Sequence, residues 1–141
     1  MKTYEYLNNP VIAKCFYNVK CTNVEIVDDG LDLPTIIVQL RIVPYEPYGE
    51  AQEQILHVTL RSSPNAKPMH DLFRQTFQVK RCPTEAIGRF GSIFVDTSEY
   101  KGTLYSAVHF VKQSDIAKRQ ARELEEADRA GDIPWSTYRC R

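Results

Sequence analysis

The chain is short of the residues that build most recognisable active sites. It has three histidines, His57, His70 and His109, far apart in sequence and outside any metal-binding motif. No GxSxG, P-loop or Rossmann glycine pattern occurs. Asp96 and Glu99 form a carboxylate pair beside a turn, where side chains are mostly solvated. A catalytic centre needs a nucleophile or base with an orienting partner, and none is visible, so a non-enzymatic protein without a cofactor is expected. The four cysteines, Cys15, Cys21, Cys82 and Cys140, include no CxxC pair. Their spacing does not suit a tetrahedral zinc site, so no metal is expected. Reduced thiols with packing roles fit better.

Long apolar runs are missing too. None approaches the ~20 residues of a membrane span. The segment Met1-Lys2-Thr3-Tyr4-Glu5-Tyr6 has no apolar signal core, so a cytoplasmic protein without a membrane partner is expected. Net charge is also absent, with 18 Lys and Arg against 18 Asp and Glu. That balance argues against strong, indiscriminate binding to duplex DNA, where phosphate neutralisation supplies most of the affinity. It leaves open a local basic groove, because the field depends on where charges sit. There are no internal repeats or low-complexity tracts.

What is present is a strong β pattern over residues 36–111, in a chain whose 141 residues suit one domain. Ile36, Val38, Leu40 and Ile42 alternate with Gln39 and Arg41. Leu56, Val58 and Leu60 alternate with His57, Thr59 and Arg61. Period two with one apolar face marks half-buried antiparallel strands. The link between them, Pro44-Tyr45-Glu46-Pro47-Tyr48-Gly49-Glu50, is too rich in proline for ladder pairing and reads as an exposed loop. A helix is expected from about Asn65 to Gln78, with Met69, Leu72, Phe73, Thr76 and Phe77 on one face. Residues 91–96 and 104–111 make a hairpin around Glu99-Tyr100-Lys101-Gly102, where glycine suits positive φ. Residues 11–27 supply an earlier strand after a lead-in arm, and Asp28-Asp29-Gly30 a turn. Three strands, a helix and two strands are the order of a five-stranded OB barrel, a mainly β fold that often grips oligonucleotides across its second and third strands.

Residues 1–113 are therefore read as an OB-like barrel and 114–141 as a charged helix with a flexible tail. Ser114 reads as an N-cap and Gly131 as a stop, and the apolar stripe of Ala117, Ala121 and Leu124 is thin.

The outward face of the second and third strands gathers Gln39, Arg41, His57, Thr59 and Arg61. Arg41 and Arg61 suit phosphates, and Tyr45, Tyr48 and Tyr105 suit base stacking. Phe90 and Tyr100 are further aromatic candidates. The competing reading makes this face plain solvated sheet or a protein contact. Ile133-Pro134-Trp135 has the form of a docking peptide for a protein partner, an aromatic anchor on a stiff proline. Against that, an isolated tryptophan usually finds apolar cover on its own domain.

The hairpin Gly-Arg-Phe-Gly-Ser-Ile-Phe-Val (residues 88–95), then Tyr100-Lys101-Gly102 and Tyr105-Ser106-Ala107-Val108, resembles small OB-fold accessory proteins of phage and mobile-element replication or recombination modules. The resemblance spans residues 36–111 and implies single-stranded DNA binding. Asp132-Ile133-Pro134-Trp135 is similar to the Asp-Ile-Pro-Phe end of bacterial single-stranded DNA-binding proteins, which docks partner enzymes. Here the aromatic residue is not the final one, and Arg139 and Arg141 follow.

The expectation is a single-stranded DNA-binding protein, with RNA as a second candidate ligand. A replication or recombination protein is the expected partner of the tail. The alternatives are a protein-interaction module acting through that tail, and a homo-oligomer paired by strand edges.

Overall fold

A computed structural model of the chain describes residues 2–27, 33–44 and 54–135, with side chains from Glu5 onward. Five strands form one antiparallel sheet: β1 (Cys15–Val27), β2 (Thr35–Ile42), β3 (Ile55–Leu60), β4 (Phe90–Tyr100) and β5 (Thr103–Phe110). Their spatial order is β3-β2-β1-β4-β5. Helix α1 (Lys67–Phe77) lies between β3 and β4 in the chain, and α2 (Asp115–Arg129) follows β5. Among the described residues no helix is long and apolar enough to cross a membrane.

The long first strand sets the shape. Residues 15–20 of β1 pair with β4, and residues 19–27 pair with β2. Between Cys21 and Asn23 the register with β2 slips at a bulge. Thr22 there donates its hydroxyl to the Gln39 carbonyl at 3.2 Å. A bulge adds bend and twist, and the sheet curls into a half-barrel whose edge strands β3 and β5 approach each other.

The alternation expected from the sequence fills the inside. Val38, Leu40 and Leu56 are fully buried, with Ile36, Ile42 and Leu60 nearly so. Helix α1 closes one end of this core. Phe73 and Phe77 turn inward and meet Phe110 edge-on, at ring centroids of 5.4 and 6.1 Å. The helix comes so close to the sheet that a β-carbon on Gly91 would lie 2.5 Å from Thr76 Cγ2. Its C-terminal carbonyls, Phe77 O and Gln78 O, accept hydrogen bonds from Arg89 at 3.2 and 2.6 Å.

The turn between β4 and β5 is tight because Lys101 and Gly102 both have positive φ, at 50° and 82°. That is the primed geometry that matches strand twist.

Helix α2 starts where expected, with Ser114 Oγ accepting from the Ala117 amide at 3.0 Å. It lies on β4 and does not project. Ala121 is buried with Phe90 and Ile133, and Leu124, Ala127 and Trp135 pack around them.

Candidate nucleic-acid interface

The two edge strands are bridged by a side chain in place of a ladder. The short 3-10 helix Lys2–Asn8 crosses the gap between β3 and β5. Asn9, which follows it, donates its amide to the carbonyls of His57 and Ser106, both at 2.8 Å. Its Oδ1 accepts from the His57 amide at 2.7 Å. The Ile12 amide adds a bond to Ser106 Oγ at 3.0 Å. Asn9 and Ser106 are buried, so these groups depend on one another for satisfaction.

Above this bridge lies an open cleft of about 260 Å³, bordered by Tyr6, His57, Thr59, Arg61 and Tyr105. Three of the residues expected to bind, His57, Arg61 and Tyr105, therefore meet in one place. His57 Nε2 lies 3.3 Å from Glu5 Oε2. Arg61 Nη2 donates to the Tyr6 hydroxyl at 3.0 Å. The Tyr6 and Tyr105 rings meet edge-to-face with centroids 5.6 Å apart. The Arg61 carbonyl is held by Nε2 of buried His70 at 2.8 Å, which ties the end of β3 to α1. The cleft thus presents a guanidinium, an imidazole and two phenol rings on anchored backbone. These groups can hold a phosphate and a flat ring together.

Gln39 is directly across from His57 in the β2–β3 ladder and joins this region from β2. Arg41 does not. It pairs with Ile55 at the far end of the ladder, and Arg61 lies just beyond the opposite end, where Leu60 pairs with Ile36. Both arginines follow the same strand face, but six residues of β3 separate them, roughly 20 Å of extended chain. Tyr45 and Tyr48 lie outside the described residues.

Arg41 instead belongs to the C-terminal segment. Arg41, Lys20 and Phe90 are cross-strand neighbours on β2, β1 and β4. Trp135 lies over this row. Its ring stacks near Phe90 (centroids 6.3 Å apart, planes at 29°), with Arg41 Cζ at 4.4 Å and Lys20 Nζ at 5.9 Å from its centroid. Its indole N–H donates to Asp128 Oδ1 at 2.8 Å, and Lys20 holds the other Asp128 oxygen at 2.6 Å. Burial pushes the Asp128 carboxyl up, but the bonds from Lys20 and Trp135 outweigh it and hold it below its ordinary value. Ile133 is buried and Pro134 exposed. Ile133 and Trp135 therefore pack against the sheet and α2, a correction to the flexible tail expected from the sequence.

Cys15 and Cys82 are exposed free thiols, and Cys21 is a buried one. Burial pushes the Cys21 thiol up to about 12, which suits a packing role. Among the described residues no three metal-ligating side chains cluster.

Glu5, Tyr6 and Asn9 are missed by sequence reasoning, because they lie in the segment that reads as a lead-in arm. The signal available was its aromatic content, two tyrosines in the first six residues. The chain matches no protein-family model and no curated relative.

Proposed function

We propose that the chain is an OB-like protein that binds single-stranded nucleic acid at the cleft between β3 and β5, in support of DNA replication or recombination. The topology supports the OB reading. β1 is shared between β2 and β4, β3 faces β5, and a helix separates β3 from β4, as in a partly open five-stranded Greek-key barrel. The resemblance of residues 36–111 to phage and mobile-element accessory proteins points the same way.

One observation carries the functional reading: His57, Arg61 and Tyr105, from two strands far apart in sequence, converge with Tyr6 on one open cleft. Arg61 contacts a phosphate, Tyr105 stacks on a base, and Gln39 and His57 offer hydrogen bonds to its edge. Glu5 Oε2 lies beside His57 Nε2, and Arg61 is the guanidinium that this site offers a phosphate. Arg41 is not part of this contact, because its guanidinium lies on Trp135.

Fluorescence anisotropy with labelled single-stranded and duplex oligonucleotides at two salt concentrations tests the reading. Preferential single-strand binding that weakens with salt is expected. Affinity indifferent to salt, a preference for duplex, or no binding rejects it. Including an RNA of the same sequence decides between the two candidate ligands.

A further inference from the structure

The barrel end opposite in character to the tyrosine cleft is strongly basic. A groove of about 560 Å³ runs between the C-terminal half of α1 and the start of α2. Its charged lining among the described residues consists of Arg74, Lys80, Lys112 and Lys118, with no carboxylate. Past Lys80 and Gln78 it continues into a second groove of similar size that adds Arg81 and Arg89. The second groove also holds two carboxylates, Glu85 and Glu125, which keep their negative charge while they bond backbone amides, and Glu85 interacts with Arg89. Glu85 Oε1 accepts from the Lys80 and Arg81 amides at 2.9 and 3.2 Å, and Glu125 Oε2 from the Phe90 amide at 3.3 Å. Among the described residues no carboxylate pairs with Lys80, Lys112 or Lys118.

In a chain with equal numbers of cations and anions, this is a marked separation of charge. Like charges gathered in a concave surface repel one another, and an anionic ligand relieves that repulsion. The base of the first groove is tied to the sheet by hydrogen bonds. Gln113 is buried there and bonded in both directions to Ser92, with its Oε1 accepting from the Ser92 amide at 3.0 Å and its Nε2 donating to the Ser92 carbonyl at 2.9 Å. Among the described residues no aromatic ring lines either groove, so none of them stacks on a base there.

We propose that these joined grooves are a second nucleic-acid surface, a track for consecutive phosphates of a single strand that reads charge and not sequence. The continuity of the two grooves through Lys80 favours an extended polyanion over a single small anion. The zero net charge makes such a track useful, since Arg61 alone gives little phosphate neutralisation. The proposal goes beyond the tyrosine cleft and does not require it.

The test compares wild type, the triple variant Lys80→Gln, Lys112→Gln, Lys118→Gln, and the cleft variant Arg61→Ala, Tyr105→Ala, using the full chain and a labelled oligo-dT probe. All three lysines are exposed, so the neutral variant keeps the core intact, which circular dichroism checks. The triple variant is expected to lose about tenfold in affinity, and its slope of log K against log salt to flatten by about two, roughly 0.7 for each lost phosphate contact. A wild-type slope in the triple variant, with weakened binding in the cleft variant, overturns the track and leaves the cleft. Weakened binding in the triple variant alone upholds the track and removes the cleft. No oligo-dT binding by wild type overturns both. Equal competition by inorganic phosphate at the same phosphate concentration overturns the extended track in favour of a free-anion site. Lysine-dependent binding of poly-glutamate in place of oligo-dT overturns the nucleic-acid assignment.

Discussion

Asn9 bonds to the backbone of His57 in both directions, accepting from its amide at 2.7 Å and donating to its carbonyl at 2.8 Å. One side chain thereby does for β3 what a neighbouring strand would do. The second bond from the same amide, to Ser106 O at 2.8 Å, brings β5 into the arrangement. The edges of the sheet are joined by a carboxamide, and the cleft above it depends on that joint.

Asn9→Ala is expected to destabilise the fold by about 1–3 kcal/mol, because it strands buried backbone groups that water reaches poorly. Asn9→Asp is expected to cost more at neutral pH, since a carboxylate would face the His57 and Ser106 carbonyls. Urea unfolding measures both. Hydrogen exchange at the His57 amide should quicken in each variant, and unchanged exchange there contradicts the bridging role.

Gly91 marks the closest approach of helix and sheet. A β-carbon there would lie 2.5 Å from Thr76 Cγ2 and 2.8 Å from the Thr76 carbonyl oxygen. Gly91→Ala is expected to cost about 1–3 kcal/mol by overpacking. Adding Thr76→Ser should recover only part of the loss, because it removes the methyl contact and leaves the carbonyl contact. Full recovery in the double variant, read by thermal unfolding, would place the strain in the side chain alone.

Trp135 is the single tryptophan of the chain, so its emission reports on the C-terminal packing. The Asp128 carboxyl that holds its indole titrates below its ordinary value because Lys20 and Trp135 outweigh burial. A carboxyl depressed in the folded state contributes stability above its unfolded value of about 3.9, and that stability is lost as pH falls through the lower folded value. Emission should stay constant from neutral pH to about pH 5 and change only below about pH 4. Asp128→Asn should remove this acid transition. A transition near neutral pH contradicts the assignment.

Tyr105→Ala should weaken single-strand binding by roughly 1–3 kcal/mol, the usual worth of one stacked base. Its effect on the salt slope should be small, whereas Arg61→Ala should flatten that slope by about 0.7. The opposite pattern would exchange their roles.

Much of the scaffold was legible in the sequence because the alternation of Ile36, Val38, Leu40 and Ile42, and of Leu56, Val58 and Leu60, puts one apolar set on one face, although Ile37 on the other face is buried too. The helix face at Phe73, Thr76 and Phe77 and the cap at Ser114 were legible for the same local reasons. Arg41 and Arg61 show where local reasoning stops. Alternation puts them on one face, but how far apart they lie depends on the ladder register, which pairs residue 41 with residue 55. The resting place of Trp135 needs three strands at once, since Arg41, Lys20 and Phe90 become neighbours only in the assembled sheet. Asn9 carries no periodic signal, and its bonds reach His57 and Ser106 across 48 and 97 residues of chain. The basic grooves were hidden behind a net charge of zero, which sums over the surface and says nothing of its distribution.

The most direct test of the cleft is an NMR titration of the full chain with an unlabelled single-stranded oligonucleotide. Saturable shifts centred on the amides of His57, Thr59, Arg61 and Tyr105 are expected, together with loss of those shifts in the Arg61→Ala, Tyr105→Ala variant. A spectrum in which these amides stay fixed at saturating oligonucleotide would contradict the account.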